Sequence, residues 1–365
     1  MKINITGFFR DIFNFLKSGS ALGIDIGTSS IKVVEISHKS NKFHLENYGL
    51  IEAKDYLRHP NLALQTSSLS ISERETSRLL RILLREMNTK TKTAVVSASI
   101  SASFVTLFDM PLLSEKETAQ SVGFQARQYI PMPISDVSVD WLRLERFTGE
   151  GGNEFQRILL IGIPKKTIVS LKNICKSSGL RLVAIELDGL ALVRALSEFG
   201  VPTIVIDIGA QSTGIFVVEK GSLKQASQTD YSGINVTRAV STSLDLSMLR
   251  AEELKKHRGL LGEAGESELS MLILPFLDVI IQEVEYIKGL YEKRYGKKVE
   301  QAVLIGGGAK LLGFDSYVAD RLKLKIIPPD VFSNLDYPTI IEPAMGGLRR
   351  ELPIAVGLAK KFFVS

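Results

Sequence analysis

Two stretches of the chain share one pattern: GIDIGTSSIKVVEIS, from Gly23 to Ser37, and VIDIGAQSTGIFVVEKG, from Val205 to Gly221. Each has an apolar strand end with a single Asp, a turn of glycine and small hydroxylated residues, and a β-branched return strand. Setting Asp25 on Asp207 sets Gly27 on Gly209, Ser30 on Ser212, and the apolar Val34 and Ile36 on Phe216 and Val218. A hairpin repeated in each half of a 365-residue chain argues for two related domains facing one another. Length alone points the same way, since a chain of this size can build two separate cores.

The turns have a specific chemistry. A glycine just after the Asp lets backbone approach a ligand, and the following N–H groups and hydroxyls form a nest for phosphate oxygens. The residues so placed are Gly27, Thr28, Ser29 and Ser30 in the first turn, and Gly209, Ala210, Gln211, Ser212 and Thr213 in the second. Strand alternation sends Ser30 and Lys32 to one face, which sets an ammonium beside the nest. Asp25 and Asp207 near a polyphosphate would repel it without a cation between them, so the pair implies Mg²⁺, held partly through its waters. One strand end of this kind reads equally well as a plain turn; two copies with matching flanks favour the phosphate site.

Composition excludes several classes. The single Cys175 forms no internal bridge, and His38, His44, His59 and His257 show no metal-ligand spacing. The net charge of +5 would suit nucleic acid or an anionic membrane, but KKHR at Lys255, EKRYGKK at Glu292 and LRR at Leu348 are scattered and read as solvated helix ends and loops. No nucleic-acid partner is expected. No apolar run reaches the ~18 residues of a transmembrane helix; MLILPFLDVII is interrupted by Pro275 and Asp278. At the N-terminus Arg10 and Asp11 interrupt the apolar stretch, which argues against a signal peptide and for a cytoplasmic protein. Phe8, Ile12, Phe15 and Leu16 fall on one helical face, suiting either an amphipathic arm on a membrane or another protein, or a helix docked on its own domain.

Strand and helix signals alternate along the rest. Strands at 22–26, 32–36 and 43–52 precede a helix from Ser72 to Met87 with Leu79, Leu80, Leu83 and Leu84 at helical spacing. Ser114 with Glu117 forms a capping box for a helix that stops before Pro131. QAVLIGGGAKLLG is a strand running into Gly306, Gly307 and Gly308 and then a helix, a turn that brings bare backbone against a phosphate or a flat ring. A tight strand-to-helix turn is the simpler alternative. Neither G-x-G-x-x-G nor G-x-x-x-x-G-K-[ST] is present. Ser29 to Lys32 fits S-x-x-K, but Ile31, Val33 and Val34 make this a strand, whereas that serine must open a helix.

The order GIDIGTSS, IDIGAQST and LIGGGAKLLG resembles the two phosphate motifs and the adenosine motif of the actin-like ATPases. Within that superfamily FQARQYIPMPISDVSVDW, AEELKKHRGL and LPIAVGLAKKF are similar to the PilM family of type IV pilus assembly, a likeness extending from Leu22 to Phe363. The resemblance implies an α/β, actin-like ATPase fold of the FtsA-like branch, with two related domains around a nucleotide cleft and an inserted, mobile subdomain of the 1C type. The implied divisions are an arm at 1–20, the first subdomain at 21–102, the insertion at 103–179, a connection at 180–202, the second domain at 203–345 and a returning helix at 346–365.

It further implies ATP and Mg²⁺ as cofactors, Asp25 and Asp207 at the metal, and Glu252 with Lys255 at ribose and adenine. A surface ion pair is the competing account of those last two. Glu186 matches the acid that orients the attacking water, with Asp188 as the nearby alternative, and Asp207 joins it in catalysis. Ser232–Gly233 stands where the family often has a glycine pair, and no general base is legible, so at most slow hydrolysis is expected. The implied function is that of a cytoplasmic scaffold, peripheral to the inner membrane, binding the cytoplasmic N-terminal tail of a PilN-like membrane protein and other platform components. Self-association is left open. The rival readings are an FtsA-like division filament protein, expected to continue past LAKKFFVS to an amphipathic anchor, and a small-molecule kinase, expected to carry large insertions in the second domain. A secretion-system relative of the GspL kind would continue into a transmembrane helix; neither tail is expected here.

Overall fold

The computed structural model describes residues 19–53, 72–149, 151–196, 199–260 and 267–364, so the amphipathic pattern of Phe8 to Leu16 lies outside the described residues. The first repeat is an antiparallel hairpin of β1 (Ser20–Ile26) and β2 (Ser30–Lys39), extended by β3 (Lys42–Glu52). Strand β4 (Thr93–Ala98) joins β1 in parallel, and β8 (Arg181–Leu187) joins β4. The second repeat pairs β9 (Thr203–Ile208) with β10 (Thr213–Glu219), then β11 (Ser222–Thr229), while β12 (Gln301–Ile305) and β13 (Lys325–Ile327) extend the other edge in parallel. The two sheets therefore share one plan. Strand β8 lies in the stretch read as a connection. Strand β14 (Leu335–Asp336), from the stretch read as the second domain, returns to pair with β3 in the first sheet.

Period-two alternation decides which residues face which layer. Leu22, Ile24, Ile31 and Val33 pack against α1 (Glu73–Met87) and α3 (Lys165–Ser177), with Leu80 wholly buried between them. Ser72 caps α1 by accepting from Glu75 N, one residue before the helix begins. The opposite faces of both hairpins meet in one core: Val34, Ile36, Phe216 and Val218, matched from the repeat alone, are all buried in it. Between the two sheets lie α4 (Asp188–Ala195) and α10 (Pro353–Lys361), each following one half of the chain. Helix α10 packs on β1, β2 and β4, and α4 packs on α10 and on β10 and β11. Small residues make this approach feasible: a Cβ on Gly357 would lie 1.8 Å from Ala191 O, and one on Gly23 1.9 Å from Ala355 O.

The insertion folds as a three-stranded sheet, with β5 (Phe104–Pro111) and β6 (Val137–Thr148) on either side of β7 (Glu154–Pro164), covered by α2 (Glu115–Tyr129). The capping box at Ser114 and Glu117 is present at the start of α2. In the second half, α5 (Gly233–Ser243), α6 (Met248–Arg258), α7 (Ser267–Tyr295) and α8 (Phe314–Leu322) surround the sheet, and α9 (Met345–Glu351) precedes α10. Pro275, read as interrupting the apolar run, lies inside α7. An interior proline costs ~3 kcal/mol; the buried face of Ile273, Leu277, Ile280, Ile281, Val284, Ile287 and Tyr291 offsets it. Among the described residues no helix is long and apolar enough to cross a membrane.

Candidate nucleotide cleft and peptide cavity

The two repeated turns close in the same way. Gly27 N donates to Ser30 O at 2.9 Å, and Gly209 N donates to Ser212 O at 3.0 Å. Strand pairing sets Asp25 opposite Lys32 in the first hairpin and Asp207 opposite Gly214 in the second, so only the first copy supplies an ammonium. Lys32 Nζ lies 3.2 Å from Asp25 Oδ2. Ser97 Oγ, at the end of β4, donates to Asp25 Oδ1 at 3.1 Å and accepts from Ile26 N at 3.3 Å. This positioning serine was missed in the sequence; the run of small hydroxylated residues closing that strand was its one signal.

The electrostatics show that the turns share one space. Burial pulls the Lys32 ammonium down, but the charges of Asp25 and Asp207 outweigh it and hold its pKa above the usual lysine value. Burial pushes Asp207 up to about 6, Lys32 opposing and Asp25 adding to the rise. Asp188, the first residue of α4, is pushed up to about 7 by burial; backbone N–H bonds oppose that rise, while Asp207 and Asp25 add to it. Its oxygens accept from Ile100 N at 2.9 Å and Gly189 N at 2.7 Å. Asp25 and Asp207, one from each hairpin, thus act on one lysine, and Asp188 feels both carboxylates.

Glu186 has a different environment. Arg194 grips both its oxygens at 2.5 and 2.8 Å, Lys361 Nζ lies 3.1 Å away, and Arg194 also donates to Gly357 O at 3.1 Å. Its carboxylate ties α4 to α10. Of the two acids weighed in the sequence, Asp188 is the one that faces the two turns.

The remaining predicted residues divide between open and engaged. In the first turn Thr28 and Ser29 form the tip, and Ser29 O accepts from Ala53 N at 2.8 Å. In the second, Ala210 O accepts from Ile234 N at 2.9 Å and from Ser232 Oγ at 3.0 Å, which locks the turn to the start of α5. Thr213 Oγ1 donates to Tyr231 O at 2.7 Å and is wholly buried. Gln211 Nε2, in the second turn, is buried with no hydrogen-bond partner. Gly306 has φ of 84° and presses on the second turn, where a Cβ would lie 2.4 Å from Asp207 Oδ1; one on Gly308 would lie 2.2 Å from Ile208 Cγ2. Gly307 is open, with nothing within 4 Å of a Cβ.

Glu252 and Lys255 form a buried pair on α6, which removes the surface account. Lys255 Nζ reaches Glu252 Oε2 at 2.6 Å, Thr237 Oγ1 at 2.8 Å and Gly233 O at 3.2 Å. Burial lowers the Lys255 pKa, whereas Lys255 holds Glu252 below the usual carboxylate range despite burial. A slot of about 20 Å³ between Lys255, Gly233, Gly308 and Leu311 brings this pair to the glycine turn.

The residues fit an Mg²⁺–polyphosphate. Gln211 supplies an orphaned buried donor, Lys32 and the turn N–H groups suit phosphate oxygens, and Asp207 and Asp188 are buried oxygen donors of the type that suits Mg²⁺. Among the described residues no three acidic, histidine or cysteine side chains are close enough to hold a metal by themselves.

A second concavity, about 280 Å³, lies where the inserted sheet meets the second half. It is lined by Phe104 to Thr106 of β5, Tyr129 at the end of α2 and Ile130 just past it, Ile100, and Ala226 to Gln228 of β11. Strands β5 and β11 are both edge strands. Gln228 Oε1 is buried there without a partner. Ile130 and Trp141 belong to the subdomain core, while Tyr129 stacks on Phe108 at 5.4 Å and remains 43% exposed.

Comparison with known proteins accords with this geometry. The structure is similar to one titled "PilM-PilN type IV pilus biogenesis complex", with TM-score 0.80 and 23% identity over 95% of this chain and 99% of that one. It is also similar to MreB5 of Spiroplasma citri bound to AMPPNP, with TM-score 0.51 and 12% identity over 94% and 95% of the two chains. Cell division protein FtsA of Enterococcus faecalis is 23% identical over 67% of this chain but only 59% of its own length, so the chain spans about three fifths of that relative. The fold is that of the actin-like ATPases. The family described as type IV pilus assembly protein PilM matches residues 23–363, nearly the whole chain, and the protein belongs to that family.

Proposed function

We propose that this chain is an ATP-binding, actin-like scaffold of type IV pilus assembly that holds MgATP between its two hairpins and the extended tail of a PilN-like membrane protein in the cavity beside Tyr129. The carrying observation is the meeting of two identically closed turns at one lysine: Lys32 pairs with Asp25 of the first hairpin and feels the charge of Asp207 from the second. Lys32, Gln211 and the N–H groups of both turns hold the phosphates, Glu252 and Lys255 the ribose and base, and the glycine turn at Gly306 the adjoining face. Mg²⁺ supplies the positive charge that lets the carboxylates and phosphates approach. To Asp188, rather than Glu186, we assign the proton of the attacking water, because its charge is coupled to Asp25 and Asp207 while Glu186 is held by Arg194 and Lys361. Two backbone donors fix the orientation of the Asp188 carboxylate. The partner reading is supported by family membership, by the similar complex, and by a cavity between two free strand edges, which satisfies a peptide backbone while pockets take its side chains. The protein works at the cytoplasmic face of the inner membrane through that partner.

One calorimetric and melting experiment tests both halves. Saturating MgATP, after removal of any nucleotide, raises the Tm of the wild type but not of Asp25→Ala. A synthetic PilN-like tail peptide binds the wild type and at least tenfold more weakly to Ala226→Phe, which fills the cavity. A Tm indifferent to MgATP overturns the nucleotide reading; equal peptide affinity overturns the docking site.

A further inference from the structure

The clusters of basic residues that stand out in the sequence are scattered, but the fold gathers others onto one face. Helix α1 carries Arg74, Arg78, Arg81 and Arg85 at i, i+4, i+7 and i+11, a single stripe. Helix α3 repeats the spacing with Lys165, Val169, Lys172 and Lys176, flanked by Lys166. Both helices bury their opposite sides in one core with the first sheet, where Leu79, Leu80, Leu83 and Leu84 meet Leu171, Ile174 and Cys175. Ser178 Oγ, just past α3, reaches Ser77 O of α1 at 3.5 Å, so the helices lie side by side and their stripes form one outer layer. All eight basic side chains on it are exposed.

The charge on this layer is not balanced as it is elsewhere. The two helices hold eight basic and three acidic residues, an excess of five, which equals the excess of the whole chain with its 45 basic and 40 acidic residues. The remainder of the protein is therefore neutral in formal charge. The acids present are Glu73, Glu75 and Glu86, all on α1; Glu75 pairs with Arg78 at 2.6 Å and Glu86 with Arg85 at 3.6 Å. Helix α3 has no acid at all, and Lys165 Nζ meets only a carbonyl, Ser135 O, at 2.5 Å among the polar contacts of the described residues.

We propose that the outer layer of α1 and α3 is a docking face for an anionic lipid bilayer. Two helices on a sheet present a broad face rather than a groove that could track a nucleic-acid strand, and neither helix carries an aromatic ring for base stacking. Val169, 54% exposed in the middle of the lysine stripe, gains from contact with the lipid interface and would gain nothing among phosphates alone. Long Lys and Arg stems extend their charges to headgroups while their methylenes cover the helix surface. This contact is independent of nucleotide and of any protein partner, so it aligns the scaffold on the membrane on which its partner's tail emerges.

The test is cosedimentation of the full chain, without nucleotide or peptide, with vesicles of phosphatidylcholine alone or mixed with phosphatidylglycerol. Binding is expected to the anionic vesicles only, and to fall as salt rises. Lys172→Glu/Lys176→Glu, both exposed and remote from the turns, is expected to weaken it by at least roughly twenty-five-fold, about fivefold for each basic group lost, with an unchanged Tm and an unchanged response to MgATP. A second pair, Arg81→Glu/Arg85→Glu, guards against a local effect on α3. Equal binding of wild type and both variants to anionic vesicles overturns the proposal, as does equal binding to neutral vesicles. Tighter retention by a DNA duplex than by anionic vesicles at the same salt would assign the face to nucleic acid instead.

Discussion

Gly306 and Asp207 are in contact across the two loops of the second half: a Cβ on the glycine would lie 2.4 Å from the aspartate Oδ1. The glycine also sits at φ of 84°, and its N–H is held by Arg350 O at 2.8 Å, so it cannot move aside. The glycine turn therefore sets the position of the carboxylate that faces the first hairpin. Gly306→Ala is expected to displace Asp207 and to weaken MgATP binding at least tenfold. Gly307→Ala, with open space around it, is expected to leave MgATP binding unchanged. Isothermal titration of the two variants checks this, and similar losses in both would show that the contact is not the cause.

Glu186 and Asp188 are two residues apart and are expected to fail in different ways. Removing Glu186 leaves the partly exposed Arg194 with Gly357 O alone; losing such charged hydrogen bonds costs about 2 kcal/mol. Glu186→Ala is thus expected to lower the Tm by several degrees, while the protein that remains folded still binds MgATP. Asp188→Asn is expected to retain binding and to lose whatever phosphate release the wild type shows. Phosphate release that falls with Glu186→Gln and survives Asp188→Asn would reverse the assignment.

The pKa directions of Asp188 and Asp207 give a signed pH dependence. In the folded protein both carboxyls bind their protons more tightly than in the unfolded chain, with values near 7 and 6 against an ordinary 3.8. Their contribution is therefore present at low pH and is lost as pH rises from about 4 through about 7. Asp188→Asn is expected to flatten the fall in stability over that window relative to wild type, by a few kcal/mol at most. Mg²⁺ with nucleotide is expected to flatten it too, since a bound cation restores the ionised forms. Denaturant melts at steps between pH 4.5 and 8 measure the slopes. A wild-type slope unchanged by either treatment would contradict the inferred burial of these charges.

The inserted subdomain is clasped to the second half by Arg157. Its guanidinium bonds Asp109 at 2.7 and 2.8 Å and also Glu145, and lies over the rings of Phe147 and Tyr295 at 4.9 and 4.7 Å from their centroids. Lys224 of β11 meets Glu145 at 2.8 Å. Arg157→Ala is expected to cost about 2 kcal/mol, because the buried guanidinium loses its charged hydrogen bonds and its packing on Phe147 and Tyr295, while Glu145 keeps Lys224. Hydrogen exchange is expected to rise in β5 to β7 and in β11, and the tail peptide to bind more weakly through the loosened cavity. Exchange that rises throughout the first sheet instead would mean that the insertion is not an independent unit.

The repeated Asp-Ile-Gly hairpin, its turn residues and the packed faces of Val34, Ile36, Phe216 and Val218 were determined by the sequence alone, because strand alternation and turn chemistry are local. The capping box at Ser114 was legible for the same reason. The tertiary structure decided what depends on partners distant in the chain. Ser97 reaches Asp25 across 72 positions. Glu186 is drawn to Arg194 and Lys361 rather than to the turns, since the crossing of α4 and α10 brings those cations to it. Pro275 stays helical because one face of α7 is buried along nearly its whole length. The basic layer exists only once α1 and α3 lie together, since each stripe is an ordinary solvated helix face until a shared core fixes both in one plane.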